Sequence, residues 1–326
     1  MSGTMQAVAI GSDGTLSLET LDRPKAGPGE VVIAIKAAGL NRADLLQRKG
    51  AYPPPEGAPQ TMGLECAGTV DSVGEGVQRW QLGDRVCALL AGGGYAEAVA
   101  VDEGSLLPIP DGMDFVDAAC LPEAMMTVWA NVFMRCALQP GEAFLCQGGT
   151  SGIGVMAIQM ARAWGAGAIF ATAGSDEKVQ AMADLGATRP INYRSEAFET
   201  VVSAAGGADV VLDMVGGDYV QKHIGLLRQD GRICNIAYQN GPSVTLNLLP
   251  LMLKRGILTG TTLRARTAAE KREIRDAIER HMWPQVQSGA IKPVLDSTFP
   301  LAQADAAHAR MTAGGHTGKI ILTVDP

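Results

Sequence analysis

The sequence predicts an α/β protein in two parts: a mostly β, barrel-like domain and a doubly wound parallel sheet. Short apolar runs broken by Gly and Pro turns fill the first third. From about residue 124, strand-like and helix-like segments alternate, the order that builds a parallel sheet with helices on both faces. Within that alternation a glycine-rich turn, Gly148-Gly149-Thr150-Ser151-Gly152-Ile153-Gly154, stands between a strand and a helix.

In the first part the candidate strands are 6–10, 31–37, 66–73, 85–88 and 96–101. Pro28-Gly29, Gly74-Glu75-Gly76, Leu82-Gly83-Asp84 and Gly92-Gly93-Gly94 separate them, and this short spacing suits an antiparallel barrel. One helix interrupts at 41–49, with Asn41 as its candidate cap. After a helix over 124–137, strands at 143–147, 168–173, 209–213, 232–236 and 257–261 alternate with helices at 152–164, 176–185, 219–228 and 246–255. The tail holds a long charged helix, 269–288, a strand-like run at 294–299, a short helix at 301–312 and a last strand, 319–324, placed to rejoin the first domain. The expected division is 1–122 with 268–326, and 123–267. Right-handed crossovers place a ligand at the carboxyl ends of the parallel strands.

With 326 residues, 47% hydrophobic and 19% charged, the chain is long enough and apolar enough for two buried cores. Its net charge of −7 argues against a general nucleic-acid or anionic-membrane binder, whose surfaces carry basic excess. No run approaches the ~18 apolar residues of a membrane span. The first residues lack the basic and apolar regions of a secretory signal. Cys66, Cys87, Cys120, Cys136, Cys146 and Cys234 are widely spaced among Ala, Val and Leu, so they read as buried thiols, and the expected location is the cytoplasm.

The turn after strand 143–147 carries the chemistry. A backbone that approaches a pyrophosphate needs glycines, and a helix N-terminus offers unpaired N–H groups and partial positive charge. Gly149, Ser151, Gly152, Ile153 and Gly154 are therefore the candidate dinucleotide contacts, although the spacing is G-x-x-G-x-G and not the usual G-x-G-x-x-G. The second strand chooses the cofactor. An NAD site carries a carboxylate at its tip for the ribose 2′-hydroxyl, but this strand ends Ala173-Gly174-Ser175, with Lys178 three positions on and Tyr193 near the next turn. Small residues plus a cation suit a 2′-phosphate, which makes NADPH the expected cofactor. Asp176 and Glu177 read as first-turn helix residues. The plainer alternative makes Lys178 a solvated helix residue.

Beside these stand Gly39-Leu40-Asn41-Arg42-Ala43-Asp44-Leu45, Gly63-Leu64-Glu65-Cys66-Ala67-Gly68, Gly83-Asp84-Arg85-Val86, Gly92-Gly93-Gly94-Tyr95-Ala96-Glu97 and Thr317-Gly318-Lys319-Ile320. On these motifs, which run from end to end, the chain resembles the zinc-independent quinone oxidoreductases of the medium-chain dehydrogenase/reductase superfamily, in the branch of the zeta-crystallin-like and p53-inducible enzymes. The resemblance implies a Rossmann dinucleotide domain, a GroES-like barrel domain and a homodimer, with the edge strand near 257–262 as the pairing strand. Zinc members of that superfamily carry a Cys near Asn41 and a His-Glu pair where this chain has Leu64-Glu65. Leu64 cannot ligate and the cysteines are not clustered, so no metal is expected.

Without a Lewis acid, an electron-poor acceptor such as a quinone or conjugated enone is the fitting substrate. The resemblance places Asn41 and Tyr52 in front of the nicotinamide, where the Tyr52 phenol orients a carbonyl or donates a proton. The alternatives are a tyrosine packed on Pro53-Pro54-Pro55 and an asparagine that is only a cap. It also places Thr127 at the nicotinamide end, and Tyr238, Leu263, Arg264 and Lys319 among the cofactor contacts. His223, His281, His308 and His316 lack ligand spacing and read as surface residues. The expected activity is NADPH-dependent reduction of a quinone or similar conjugated carbonyl. Its rivals are an enoyl-thioester or 2-alkenal reductase and an NADPH-binding sensor with little turnover.

Overall fold

The structure, a computed structural model, describes residues 3–324. Two compact units share the chain. One holds the residues up to Met126, Arg264–Gln287 and those from Pro293 onward; the other holds Thr127–Leu263 and Ser288–Lys292. In chain order the first strands are β1 Thr4–Ile10, β2 Leu16–Asp22, β3 Glu30–Gly39, β4 Glu65–Val73, β5 Arg85–Leu89, β6 Ala98–Asp102 and β7 Leu106–Pro108. Then come β8 Ala143–Cys146, β9 Ala168–Ala173, β10 Arg189–Asn192, β11 Ala208–Asp213, β12 Leu227–Asn235 and β13 Ile257–Gly260. The last two are β14 Leu295–Pro300 and β15 Lys319–Thr323.

The first unit is built on a sheet in the order β14-β15-β3-β4-β5-β7, with β6 pairing β3. Its pairs are antiparallel except β14 with β15. β3 is a nearly unbroken apolar run because it is covered on both faces; Val31, Val32, Ile33 and Ile35 are all buried. The core that holds Val31, Ile33 and Ile35 continues through Val70, Val86, Leu106 and Leu322, and truncating Ile33 to Ala would cost about 2–5 kcal/mol. The last strand rejoins the first part as the sequence suggests, since β15 pairs β3 from Ile321 opposite Gly39.

The second unit is a six-stranded sheet in the order β10-β9-β8-β11-β12-β13, parallel throughout. The order reverses between β8 and β11, so the switch point lies at their carboxyl ends. β8 and β11 are central and largely apolar, and Val211 and Leu212 are fully buried. The helix Gly152–Trp164 follows β8, capped by Ser151 at one end and closed by Gly165 in the left-handed region at the other.

Several elements depart from the expected pattern. β2 escapes detection because Ser17, Glu19 and Thr20 leave it largely exposed. β10 carries Arg189 and Pro190 and is an edge strand, where proline is tolerated. The helix at 124–137 is an α-helix, Pro122–Val128, running into a π-helical stretch, Trp129–Arg135. There the Asn131 side chain donates to the Thr127 carbonyl (2.8 Å) and the Cys136 N–H reaches the Asn131 carbonyl (3.0 Å). The charged helix ends at His281, and Pro284 restarts a short one, Trp283–Gln287. Surface placement of all four histidines is wrong for two: His223 and His308 are buried. All six cysteines are buried thiols outside any disulfide. Among the described residues no helix is long and apolar enough to cross a membrane.

Candidate functional site

In the second unit the turn leaving β8 is tied to β9. The Gly148 N–H bonds the Thr172 hydroxyl (3.2 Å) and the Gly149 N–H bonds the Thr172 carbonyl (2.9 Å). Ser151 then closes the loop: its Oγ donates to the Gly148 carbonyl (2.8 Å) and accepts from the Gly154 N–H (3.0 Å). A Cβ at Gly154 would collide with the Gly148 carbonyl and stand 2.7 Å from the Gly149 Cα. The departure from the usual glycine spacing is thus compatible with a tight turn. The N–H groups of Gly152 and Ile153 open a 13-residue helix, where first-turn donors have no intrahelical acceptor.

Beneath the turn runs a buried polar chain that sequence reasoning missed. Thr172 donates to Gln147 Oε1 (2.6 Å), which orients the amide so that its Nε2 donates to His223 Nε2 (2.9 Å). The other ring nitrogen, Nδ1, lies 3.6 Å from Asp213 Oδ2. Burial, with Lys222 adding to it, pushes the His223 pKa down to about 3, so the imidazole is neutral. Burial raises the Asp213 pKa, opposed by bonds from the Val215 N–H (2.7 Å), the Gly216 N–H (3.2 Å) and Asn235 Nδ2 (2.6 Å). These groups brace both sides of the switch point. None shows a periodic signal, which is why the sequence hides them.

At the tip of β9, Ser175 Oγ caps the helix Asp176–Leu185 by accepting from the Lys178 N–H (3.3 Å). A Cβ on Gly174 would stand 2.5 Å from the Tyr193 hydroxyl and 3.4 Å from Arg194 Nε. Arg194 is a further cation, overlooked in the sequence because it follows the undetected strand β10. Asp176 accepts from Asn192 Nδ2 (2.7 Å), so its carboxylate is engaged at the helix start. After β12 the exposed Tyr238 packs over Gly216, where a Cβ would meet its ring at 2.7 Å. The parallel strands therefore bring Gly149, Ser151, Gly152, Ile153, Gly154, Gly174, Ser175, Lys178, Tyr193 and Tyr238 to one edge. Thr127 and Leu263 are buried at the two ends of the unit's main segment.

The first unit gathers Asn41, Tyr52, Arg264 and Lys319. Lys319 is buried and donates to the Leu40 carbonyl (2.8 Å) and to Asn41 Oδ1 (2.8 Å), and it ion-pairs with Glu65. Its three donors are thereby matched by three acceptors. Burial opposes its charge, but Glu65, aided by Glu123, more than offsets this and its pKa is raised. Asn41 Nδ2 completes the triangle on Glu65 Oε1 (2.9 Å), and the Glu123 N–H takes Glu65 Oε2 (2.9 Å). Asn41 is therefore more than a helix cap. The Asn41 N–H also bonds the buried Asp44 carboxylate (2.8 Å), which accepts from the Tyr95 hydroxyl (3.1 Å); Tyr95 meets His308 Nε2 at 3.2 Å. Burial lifts the Asp44 pKa to about 6 and lowers that of His308 to about 4.

Tyr52 is partly buried, and the Arg264 guanidinium lies 5.3 Å from its ring centroid. Arg264 also donates to the carbonyls of Tyr52 (3.1 Å) and Ala91 (2.8 Å) and to Gln47 Oε1 (2.7 Å). One buried guanidinium thus fastens the proline loop to the helix Arg42–Arg48. Burial raises the Tyr52 pKa above its ordinary value, with Arg264 opposing, so the phenol keeps its proton at neutral pH. The Arg264 side chain is thus engaged within the first unit.

The donor set around Asn41 does not suit zinc. Leu64 offers only alkyl carbon, and the Asn41 and Glu65 oxygens are taken by the Lys319 ammonium. No group of three or more His, Cys, Asp or Glu side chains that could hold a metal occurs among the described residues.

Residues 27–111 match the family profile of the alcohol dehydrogenase GroES-like domain, and residues 185–322 that of zinc-binding dehydrogenase. A synaptic vesicle membrane protein VAT-1 homolog of Danio rerio is 31% identical over 93% of this chain, which spans 66% of that relative. A mycocerosic acid synthase-like polyketide synthase of Mycobacterium tuberculosis is 32% identical over 95% of the chain, but the chain spans only 15% of it. The quinone oxidoreductase of Mus musculus is 30% identical over 90% of this chain and 88% of its own. Among solved structures, the quinone oxidoreductase of Thermus thermophilus, studied also in complex with NADPH, superposes with a TM-score of 0.84. It is 33% identical, covering 98% of this chain and 100% of its own. The CurK enoyl reductase gives a TM-score of 0.84 at 26% identity, covering 99% and 100%. With both family segments in place and a quinone oxidoreductase matched over nearly its whole length, the chain belongs to the medium-chain dehydrogenase/reductase superfamily of oxidoreductases.

Proposed function

We propose that the protein is an NADPH-dependent reductase that delivers hydride to a quinone or similar conjugated carbonyl without a metal ion. The observation that carries this reading is the tip of β9, where Gly174 and Ser175 stand in place of an acid, Tyr193 and Arg194 lie beside Gly174, and Lys178 follows in the first turn of the next helix. A carboxylate there would repel a 2′-phosphate; a guanidinium, an ammonium and a phenol suit it. The cradle fits a dinucleotide, because Gly149 and Gly154 leave no room for a Cβ and the turn presents the N–H groups of Gly152 and Ile153.

NADPH supplies the hydride when bound; the chain's own residues hold and orient. Gly149, Ser151, Gly152, Ile153 and Gly154 take the pyrophosphate, and Gly174, Ser175, Lys178 and Tyr193, joined by Arg194, take the phosphorylated ribose. Thr127, Tyr238, Leu263, Arg264 and Lys319 remain candidate contacts through the resemblance. Lys319 has a structural assignment as well, since its ammonium holds Asn41 and Glu65. Tyr52, still protonated at neutral pH, orients the acceptor's carbonyl oxygen and, where the acceptor is an enone, gives up its proton after hydride arrives. Arg264 positions that phenol.

Two further readings keep specific support. The similarity to CurK favours an enoyl or 2-alkenal reductase, in which Tyr52 serves as the proton donor. A sensor with little turnover needs only the dinucleotide cradle. Steady-state NADPH oxidation against a panel of quinones and enones separates them, and the absence of any acceptor-dependent rate overturns the enzyme reading. A homodimer belongs to the same proposal. β13 ends its sheet, with Ile257 exposed and Leu249, Met252 and Leu253 exposed on the helix Leu249–Leu253.

A further inference from the structure

The first unit holds a cavity of about 710 Å³ that neither the dinucleotide cradle nor the Asn41 triangle uses. That volume is within the ~300–1,000 Å³ of small-ligand sites. Alanines at 96, 98 and 100, where larger side chains would fill the space, combine with Leu21, Pro53 and Pro59 in a mainly apolar lining. Glu19, Gln47, Gln60 and Thr61 are its polar lining residues, and neither Lys nor Arg is among those that line it. Two groups of its wall adjoin the proposed acceptor residues. Pro53 follows Tyr52 directly, and Gln47 both lines the cavity and accepts from Arg264, which lies over the Tyr52 ring. Gln47 is itself held by donating to the Gln60 carbonyl (2.9 Å).

We infer that this cavity receives an uncharged hydrocarbon chain carried by the carbonyl acceptor, so that the preferred substrate is a quinone or enone with a prenyl-like or alkyl tail; this rests on the reductase reading above. The lining decides the chemistry. An apolar surface gains by taking methylenes out of water. Glu19, with no cation among the lining groups, disfavours a phosphate- or carboxylate-bearing tail such as the handle of an acyl thioester. A methylene fully removed from water is worth up to about fourfold in affinity, so three seated methylenes separate tailed from tailless acceptors by about 60-fold.

The test compares KM for 2,3-dimethoxy-5-methyl-1,4-benzoquinone with KM for the same ring carrying a 6-decyl chain. The decyl compound should have a KM lower by about 60-fold or more. Leu21→Glu should raise the decyl KM at least tenfold while leaving the tailless quinone unchanged. Equal KM values within threefold, or a Leu21→Glu effect shared by both quinones, would overturn the inference. If neither quinone is turned over, the reductase reading fails, and calorimetric titration with 1-decanol still decides the cavity. Binding that Leu21→Glu abolishes supports it, and no binding by wild type refutes it. Loss of binding with a changed sedimentation coefficient in Leu21→Glu would instead assign the surface to a second copy of this chain, and would refute the tail site.

Discussion

Replacing Lys319 with methionine removes an ammonium while keeping a side chain of similar length. In the native fold that ammonium is 4% exposed and holds the Leu40 carbonyl, Asn41 Oδ1 and the Glu65 carboxylate. Without it, a fully buried carboxylate keeps only Asn41 Nδ2 and the Glu123 N–H as partners. Removing one member of such a pair costs about 3–5 kcal/mol, because the remaining charge is left in a low-dielectric interior. For a unit of this size, that corresponds to a fall in melting temperature of roughly 6–20 °C. Differential scanning calorimetry measures it on the transition of the unit that contains residue 319. The double variant Glu65→Gln/Lys319→Met should recover at least half of the loss, since neither partner is then charged. A single variant within about 1 kcal/mol of wild type would refute the reasoning, as would a double variant no more stable than the single.

Three other expectations follow from the site. Tyr52→Phe should lower kcat for an enone by about 10²–10⁴-fold and change ortho-quinone reduction little, if the phenol is the proton donor; equal effects on both in steady-state assays would show a packing role. Lys178→Ala and Arg194→Ala should each shift the NADPH-to-NADH preference by about 10- to 100-fold, the worth of one charge-assisted contact to phosphate. Isothermal titration with both cofactors checks this, and an unchanged ratio contradicts the 2′-phosphate assignment. Acid stability carries two opposed signs. His308, held neutral down to about pH 4, costs the fold stability as pH falls from about 6.5 to 4, because the unfolded imidazole binds its proton first. Asp44, lifted to about 6, works the other way, since the folded carboxyl is protonated first. His308→Gln should therefore remove ~3 kcal/mol of acid sensitivity over that range, measured by denaturant titration at each pH. An unaltered pH slope would contradict the burial argument.

The parallel sheet was legible because alternation of strand and helix is a long-range pattern repeated many times, and β8, β9, β11 and β12 are apolar enough to stand out. The glycine turn was legible for the same reason, since its place between strand and helix says more than its spacing. What stayed hidden depends on contacts between distant residues. Arg264 meets Tyr52 across 212 positions and Lys319 meets Asn41 across 278, and neither pairing leaves a periodic trace. Arg194 was missed because β10, carrying Arg189 and Pro190, does not look like a strand. His223 and His308 were placed on the surface because a lone histidine gives no sign of the Gln147 or Tyr95 that satisfies it in the interior.

On the proposed function, this chain reduces a conjugated carbonyl with NADPH held through its 2′-phosphate. The most direct measurement is kcat/KM for NADPH and for NADH with one saturating quinone acceptor, followed by the loss of absorbance of the reduced cofactor. The account predicts acceptor-dependent oxidation with NADPH favoured by tenfold or more. Equal or better use of NADH, or no oxidation beyond the rate without protein, would contradict it.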